Sequence, residues 1–240
     1  MPGKVIPFTS GGAAQATKRR ILDAAEALFV EHGFEATSVR AITTAAGVNL
    51  AAANYHFGSK EELFQAVLTR RLDPMNEARL ELLTRFEHAS APRAVPCEKI
   101  LTALFVPALE LARDRDRGGE NFLRLLGRAY ADPAPFIRKF LSDQYALMIG
   151  RFKAAFGRAL PRLPKRELSW RLHFIMGALS YTLAGTDAAK LIAELTPHEV
   201  NNDEALLRRL APFLLAGLQA PLADGADVTR ELDGELARRR

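Results

Sequence analysis

Residues 37–57 run Thr-Ser-Val-Arg-Ala-Ile-Thr-Thr-Ala-Ala-Gly-Val-Asn-Leu-Ala-Ala-Ala-Asn-Tyr-His-Phe. Thr37 or Ser38 supplies a hydroxyl able to cap a short helix through Ala46, whose buried positions are Val39, Ile42 and Ala46. Gly47 breaks that helix, because a residue without Cβ turns the backbone where a side chain would clash. Val48 packs into the angle that results, and a second short helix spans Asn49 to His56. Two short helices around a glycine corner are the grammar of a helix-turn-helix. Ala51 and Ala52 leave the second helix's backbone free to approach base edges in a major groove.

On the upstream side, Ile21, Leu22, Ala25, Leu28 and Phe29 form one apolar stripe over Thr17 to His32, and Gly33 ends it in a left-handed conformation. Downstream, Ser59-Lys60-Glu61-Glu62 has capping-box spacing ahead of the stripe Leu63, Val67, Leu68 and Leu72. Pro74 is expected to kink or interrupt this fourth helix, with a connector over Ala89 to Pro96. Further helices are expected over Glu98–Arg117, Glu120–Ala131, Pro135–Ala159, Lys165–Leu195 and Asp203–Gln219. Strict apolar/polar alternation of useful length occurs nowhere, so the expected fold is all-α. Its divisions are a flexible arm at residues 1–15, a helix-turn-helix domain at 16–72, a helical bundle for ligand binding and dimerisation at 73–219, and a solvated tail or frayed helix at 220–240.

The composition narrows function. At 240 residues, 48% hydrophobic and 25% charged, the chain has enough apolar content for a core and is not disordered overall. One cysteine, Cys97, cannot form an intramolecular disulfide or a Cys-rich zinc cluster. No apolar run reaches membrane-spanning length, and the N-terminal residues lack a signal sequence's sustained apolar core, so no membrane partner and a cytoplasmic location are expected. His32, His56, His88, His173 and His198 are scattered without metal-ligand spacing, and no Gly-rich phosphate loop or nucleophile elbow is present. The expectation is a non-enzymatic protein without metal or cofactor. An enzyme, or a helical adaptor that uses the bundle without sequence-specific DNA binding, is the alternative.

From about Thr17 to Leu72 the sequence resembles the TetR family of transcriptional regulators. The resemblance rests on Phe29-x-x-x-Gly33-Phe34, Thr37-Ser38-x-x-x-Ile42, Ala46-Gly47-Val48 and His56-Phe57-x-x-Lys60-Glu61-x-Leu63. It implies a three-helix DNA-binding domain joined through the fourth helix to a helical domain that binds ligand and dimerises. Thr37, Ser38 and Arg40 are then DNA-contacting candidates from the second helix. Asn49, Leu50, Ala51 and Ala52 are base-facing, and His56 and Lys60 occupy phosphate-contacting positions. Lys60, in the first turn of the fourth helix, would hold a phosphate together with free amides there. Asn54 stands where the family usually has tyrosine and Tyr55 follows it, so either makes the backbone contact.

The same resemblance implies an effector site in the bundle. Phe105, Phe122, Leu126, Tyr130, Trp170 and Phe174 are candidate lining residues, with Arg124 and Arg128 at the mouth, although ordinary core packing explains most of these apolar residues equally. Residues 113–171 hold fourteen Lys/Arg against six Asp/Glu, whereas residues 1–72 hold eight against six. That basic excess either steers the protein toward DNA as a solvated surface or flanks a pocket for an anionic head group. An apolar interior beside arginines points to a fatty acid or acyl thioester such as acyl-CoA. For a homodimer interface the candidates are Gly177, Ala178, Tyr181 and Ala184, together with Leu207, Leu210 and Leu214 on the last helix of the bundle; core packing explains these as well. The expected output is repression from a palindromic double-stranded DNA operator. Ligand would shift the fourth helix, spread the reading heads and release the DNA.

Overall fold

The computed structural model describes residues 10–114, 119–131, 134–183, 203–222 and 227–238. Every regular element among them is a helix. The N-terminal module comprises α1 (Ser10–Ala36), α2 (Val39–Ala46), α3 (Leu50–Phe57) and the first half of α4 (Lys60–Ser90). The apolar stripe of α1 buries Ile21, Ala25 and Phe29 completely, each burial contributing on the order of 1–3 kcal/mol for the larger side chains. Phe29 and Phe34 meet Phe64 of α4 edge-on, with ring centroids 4.9 and 5.2 Å apart. Gly33 interrupts α1 at φ 80°, ψ 176°, a conformation open to glycine, so the last turn carrying Phe34 leaves the helix axis.

Local capping matches the sequence expectation closely. Ser38 accepts from the Ala41 amide, Asn49 from the Ala52 amide at 2.8 Å, and Ser59 from the Glu62 amide. Glu62 accepts in return from the Ser59 amide at 2.8 Å, completing the capping box. Between α2 and α3, Gly47 is left-handed at φ 61°, ψ 40°, and its amide is directed at the Thr43 and Thr44 carbonyls.

The bundle consists of α5 (Cys97–Arg113), α6 (Gly119–Ala131), α7 (Pro135–Gln144), α8 (Ala146–Ala159), α9 (Lys165–Leu183) and α10 (Asp203–Gln219), followed by α11 (Asp227–Arg238). Helix α4 packs on α5, α6 on α9 and also on α1, and α10 on both α5 and α9. Phe122, Leu125 and Phe156 are core residues here. Arg171 is buried and terminates α10: its guanidinium donates to the carbonyls of Leu218, Ala220 and Pro221 and pairs with Glu167 at 2.9 Å. Those carbonyls have no partner within the helix, so the arginine from α9 replaces a local C-cap.

The stretch expected as a solvated tail or frayed helix carries α11, whose described side chains are exposed, and three boundaries differ from expectation. Helix α1 begins at Ser10, six residues inside the stretch expected as an arm, where Ala13, Ala14 and a Thr17 hydroxyl bonded to the Ala13 carbonyl extend it. Helix α4 runs through Pro74, which is exposed, so the carbonyl deprived of its amide partner can meet water while Leu72 and Met75 stay buried. The single helix expected over Pro135–Ala159 is two, divided at Tyr145 (φ −111°, ψ 14°). Tyr145 is 7% exposed and donates its hydroxyl to Asp73 at 3.0 Å, a tertiary anchor that displaces the helical geometry. The part of the expected ninth helix after Leu183 lies outside the described residues.

Candidate functional site

The reading surface is built from α3 outward. Ala53 and Phe57, one turn apart, are buried against the module, which leaves Leu50, Ala51, Asn54 and Tyr55 facing solvent. Tyr55 is 85% exposed, too open for a core tyrosine. Asn54 is exposed beside it, so both candidates for the backbone contact project outward. Ala52 and His56 are half-buried at the edge of this face, the His56 ring lying 5.2 Å from Tyr55 and 6.2 Å from Phe57. Asn49 uses its side-chain oxygen as the N-cap and leaves its amide nitrogen available. From α2, Arg40 is exposed, and Ser38 is exposed with its hydroxyl oxygen engaged in capping.

Two candidates hold the scaffold together. Thr37 is 2% exposed; its hydroxyl lies 2.7 Å from the Gly33 carbonyl and 3.2 Å from that of Leu28, so it ties the α2 entrance to the end of α1 and does not face outward. Lys60 is half-buried, donates to the Glu35 carbonyl at 3.2 Å and lies 4.3 Å from the centre of the Phe34 ring. The amide of Glu62 in that first turn is taken by the Ser59 hydroxyl. A residue not singled out from the sequence also braces the corner: Arg20 of α1 donates to the Gly47 carbonyl at 2.8 Å.

Behind this module, contacts from the bundle reach the same helices. Phe136, at the start of α7, stands 4.8 Å from the Phe34 ring. Arg128 of α6 donates to the Val30 carbonyl of α1 at 2.8 Å. Within the module, Glu26 of α1 pairs with both Arg70 and Arg71 of α4, and Asp23 pairs with Arg70 at 2.6 Å. Glu26 is itself buried, where unpaired ionisation would be costly, so two arginines around one carboxylate fix α1 to α4.

Between α4, α6, α7, α8 and α9 lies a cavity of about 580 Å3, within the range of small-molecule sites. Its wall is mostly apolar, including Leu141, Met148, Phe152, Phe156 and Leu179. Polar groups enter from α4 as Asn76 and Arg79, from α6 as Tyr130 and from Tyr145. Arg79 is 3% exposed and donates through Nε to the Leu104 carbonyl at 2.8 Å and through Nη1 to Asn76 Oδ1 at 2.9 Å. Burial pulls the Arg79 guanidinium below its usual range, partly offset by Tyr130; the same burial pushes the Tyr130 phenol up.

Of the ligand-lining candidates, the structure brings Tyr130 to the cavity. Phe105, Phe122 and Leu126 are buried elsewhere in the core, on helix faces already packed by neighbours. Trp170 and Phe174 are 50% and 63% exposed on the outer face of α9, because Leu168, Arg171 and Ile175 occupy its inner face. Arg128 is engaged with α1, and half-buried Arg124 is likewise outside the cavity wall. The buried arginine in the cavity wall is Arg79, hidden from sequence reading because it sits in a charged stretch of α4 between Glu77 and Glu81.

The dimer candidates divide similarly. Gly177 and Tyr181 are exposed on α9, Ala178 is half-buried, and Ala184 lies outside the described residues. On α10, Leu210 is half-buried and Leu214 is 3% exposed, facing α5 and α9 within the subunit and unavailable to a partner. The side chain of Leu207 lies outside the described residues, while Phe213 on α10 is 70% exposed. No helix among the described residues is long and apolar enough to cross a membrane.

Comparison with known proteins agrees with this architecture. A family described as "Bacterial regulatory proteins, tetR family" matches residues 21–67, and "Tetracyclin repressor-like, C-terminal domain" matches residues 102–217. The HTH-type transcriptional repressor BepR of Brucella suis is 33% identical over 152 residues, covering 61% of this chain and 69% of BepR. Among solved structures, the chain is similar in fold to NalD of Pseudomonas aeruginosa, the secondary repressor of a multidrug efflux pump. The TM-score is 0.56 at 24% identity, over 85% of this chain and 97% of NalD. FadR of Bacillus subtilis, solved with stearoyl-CoA, shares the fold at TM-score 0.52 and 16% identity, over 83% of this chain and 98% of FadR. With both of its helical domains matched and a repressor relative spanning most of the fold, this chain belongs to the TetR family of DNA-binding transcriptional regulators, not to the enzymes.

Proposed function

We propose that the chain is a homodimeric repressor that reads a palindromic operator through α3 and leaves it when a small apolar or acyl ligand, a fatty acid or acyl-CoA, fills the bundle cavity. The observation that carries this reading is the position of α4. Its first turn, through Ser59 and Lys60, buttresses the helix-turn-helix, and about four to five turns later the same helix puts Asn76 and Arg79 into the cavity wall. A ligand pressing on that wall acts on an element shared with the reading head. The fold likeness to a FadR solved with stearoyl-CoA is in keeping with an acyl ligand.

In this reading Ser38, Arg40, Leu50, Ala51, Asn54 and Tyr55 face the DNA, with Asn49, Ala52, His56 and Lys60 at the edge of the contact. Leu50 and Ala51 suit thymine methyl groups and Arg40 suits guanine. A ligand shifts the equilibrium only by its preference for the DNA-incompetent form, so release requires the cavity to be better filled when the heads have moved apart. The exposed bond from Arg128 to the Val30 carbonyl and the packing of Phe136 on Phe34 are the contacts such a motion would strain.

The test is selection of genomic DNA by the purified chain, followed by footprinting with and without fatty acids and acyl-CoAs. A protected two-fold symmetric site that is lost on adding ligand is the expected result. Arg40→Ala should relax preference at one base position by about 1–3 kcal/mol, whereas Tyr55→Phe should weaken all sequences alike. Absence of any protected site with the folded protein would refute the reading, and a site indifferent to every ligand would refute its ligand-controlled part.

A further inference from the structure

The cavity has a charge asymmetry that its apolar character conceals. Its charged lining groups are all basic: Arg79 within the wall, and the exposed Arg138 and Lys153 toward solvent. No aspartate or glutamate lines it. Asp73 lies behind the wall and accepts the Tyr145 hydroxyl at 3.0 Å. Rim cations are solvated and carry little information. Arg79 differs, because it is 3% exposed and donates to neutral acceptors, the Leu104 carbonyl and Asn76 Oδ1.

Its third neighbour, Tyr130, is a phenol that burial keeps protonated. No carboxylate is ion-paired with Arg79 among the described residues. A guanidinium remains protonated even when burial lowers its pKa, and a buried charge without a counter-charge is costly. The contrast with Glu26 is direct, since that buried carboxylate has two arginines around it. An apolar cavity holding one fixed positive charge is complementary to an apolar molecule ending in an anion.

We propose that Arg79 is the anion receptor of this cavity: the effector is an amphipathic acid whose carboxylate enters first and is buried on the Arg79 guanidinium, with Tyr130 beside it and its apolar body along Phe152, Phe156 and Leu179. This rests on the reading of the cavity as the effector site and adds to it a ligand class and an orientation. A free carboxylate satisfies Arg79, whereas an acyl-CoA entering by its chain would leave the guanidinium facing a methyl end. Because Arg79 also holds the Leu104 carbonyl, the ligand's acid group engages the α4–α5 contact itself.

The experiment is calorimetric titration of the full chain with dodecanoate, dodecanol, dodecyltrimethylammonium and dodecanoyl-CoA, all below micelle-forming concentrations. Dodecanoate should bind more tightly than dodecanol by at least about tenfold, the scale of a hydrogen bond to a charged group, with the ammonium weaker still. This comparison needs no variant. Arg79→Gln, with retained helicity and cooperative unfolding as controls, should bring dodecanoate and dodecanol to similar affinities. Equal affinity of the two probes in the wild-type chain, persistence of the preference in Arg79→Gln, or tighter binding of dodecanoyl-CoA than of dodecanoate would overturn the proposal while leaving the cavity as an effector site. Binding of none of the probes would remove the acyl-effector reading and this inference together.

Discussion

Gly58 shows how one atom can decide a local structure. It follows α3 at φ 70°, ψ −85°, and a Cβ built there would lie 2.2 Å from Glu62 Oε2, the oxygen that closes the capping box of α4. Gly47 is also left-handed, but a Cβ there meets nothing within 4 Å. Gly47→Ala should therefore carry only the left-handed backbone cost, about 1–2 kcal/mol. Gly58→Ala should cost more, on the order of 2–4 kcal/mol, because backbone strain adds to a lost cap. Urea unfolding at unchanged m-value measures both, and equal losses would show that the capping box yields without penalty. Residue-scale features of this kind were legible in the sequence when their partners lie three or four positions apart, as with Ser59 and Glu62. Thr37 and Lys60 also make contacts that such spacing does not report: the Thr37 hydroxyl reaches the Leu28 carbonyl nine positions earlier and Lys60 the Glu35 carbonyl twenty-five positions earlier.

At the scale of elements, breaks and continuities follow tertiary anchoring more than propensity. Proline is the strongest local breaker, yet α4 continues past Pro74 because that face meets solvent. Tyr145 is no breaker by propensity, and the α7–α8 division there follows from burial and from its bond to Asp73, 72 residues earlier. The helix-turn-helix was readable because it is local; the division of the bundle was not, since its cause is remote in sequence. Tyr145→Phe should cost about 1 kcal/mol by removing that bond. It should also alter alkaline behaviour in a definite sense. Burial raises the phenol pKa of both Tyr145 and Tyr130, and the Asp73 carboxylate raises Tyr145 further, whereas Arg79 partly counteracts the effect at Tyr130. The folded chain then holds these protons more tightly than the unfolded chain. Their stabilisation is fully present below about pH 10, the unfolded phenol value, and is lost as pH rises from there toward the folded values. Urea midpoints measured across that range should fall less steeply in Tyr145→Phe than in the wild-type chain, and parallel slopes would contradict the assignment.

For the whole molecule, the unresolved question in the sequence was which apolar residues close the subunit and which await a partner, because both uses draw on the same side chains at the same helical spacing. The structure buries some of them and exposes others. Leu214 and Leu218 are inside the subunit, while Trp170, Phe174, Gly177 and Tyr181 lie at intervals of three or four along the exposed face of α9, with Trp170 and Phe174 stacked at 5.9 Å and Phe213 exposed on the adjoining α10. An apolar stripe of this extent on a folded chain marks an interaction surface. A second copy of the chain is the occupant that the reading of a palindromic operator requires, with recognition helices about 34–36 Å apart. On that reading Gly177 would allow a facing helix to approach while Trp170 and Phe174 would supply buried area. Trp170→Glu combined with Phe174→Glu places two carboxylates in that face without touching the inward positions Leu168, Arg171 and Ile175. The variant should remain helical and unfold cooperatively, sediment as a monomer, and bind its operator at least about a hundredfold more weakly, since each head then binds without the other's effective concentration. A variant that still sediments as a dimer would move the interface elsewhere on the bundle, and a monomer with undiminished operator affinity would refute two-headed recognition.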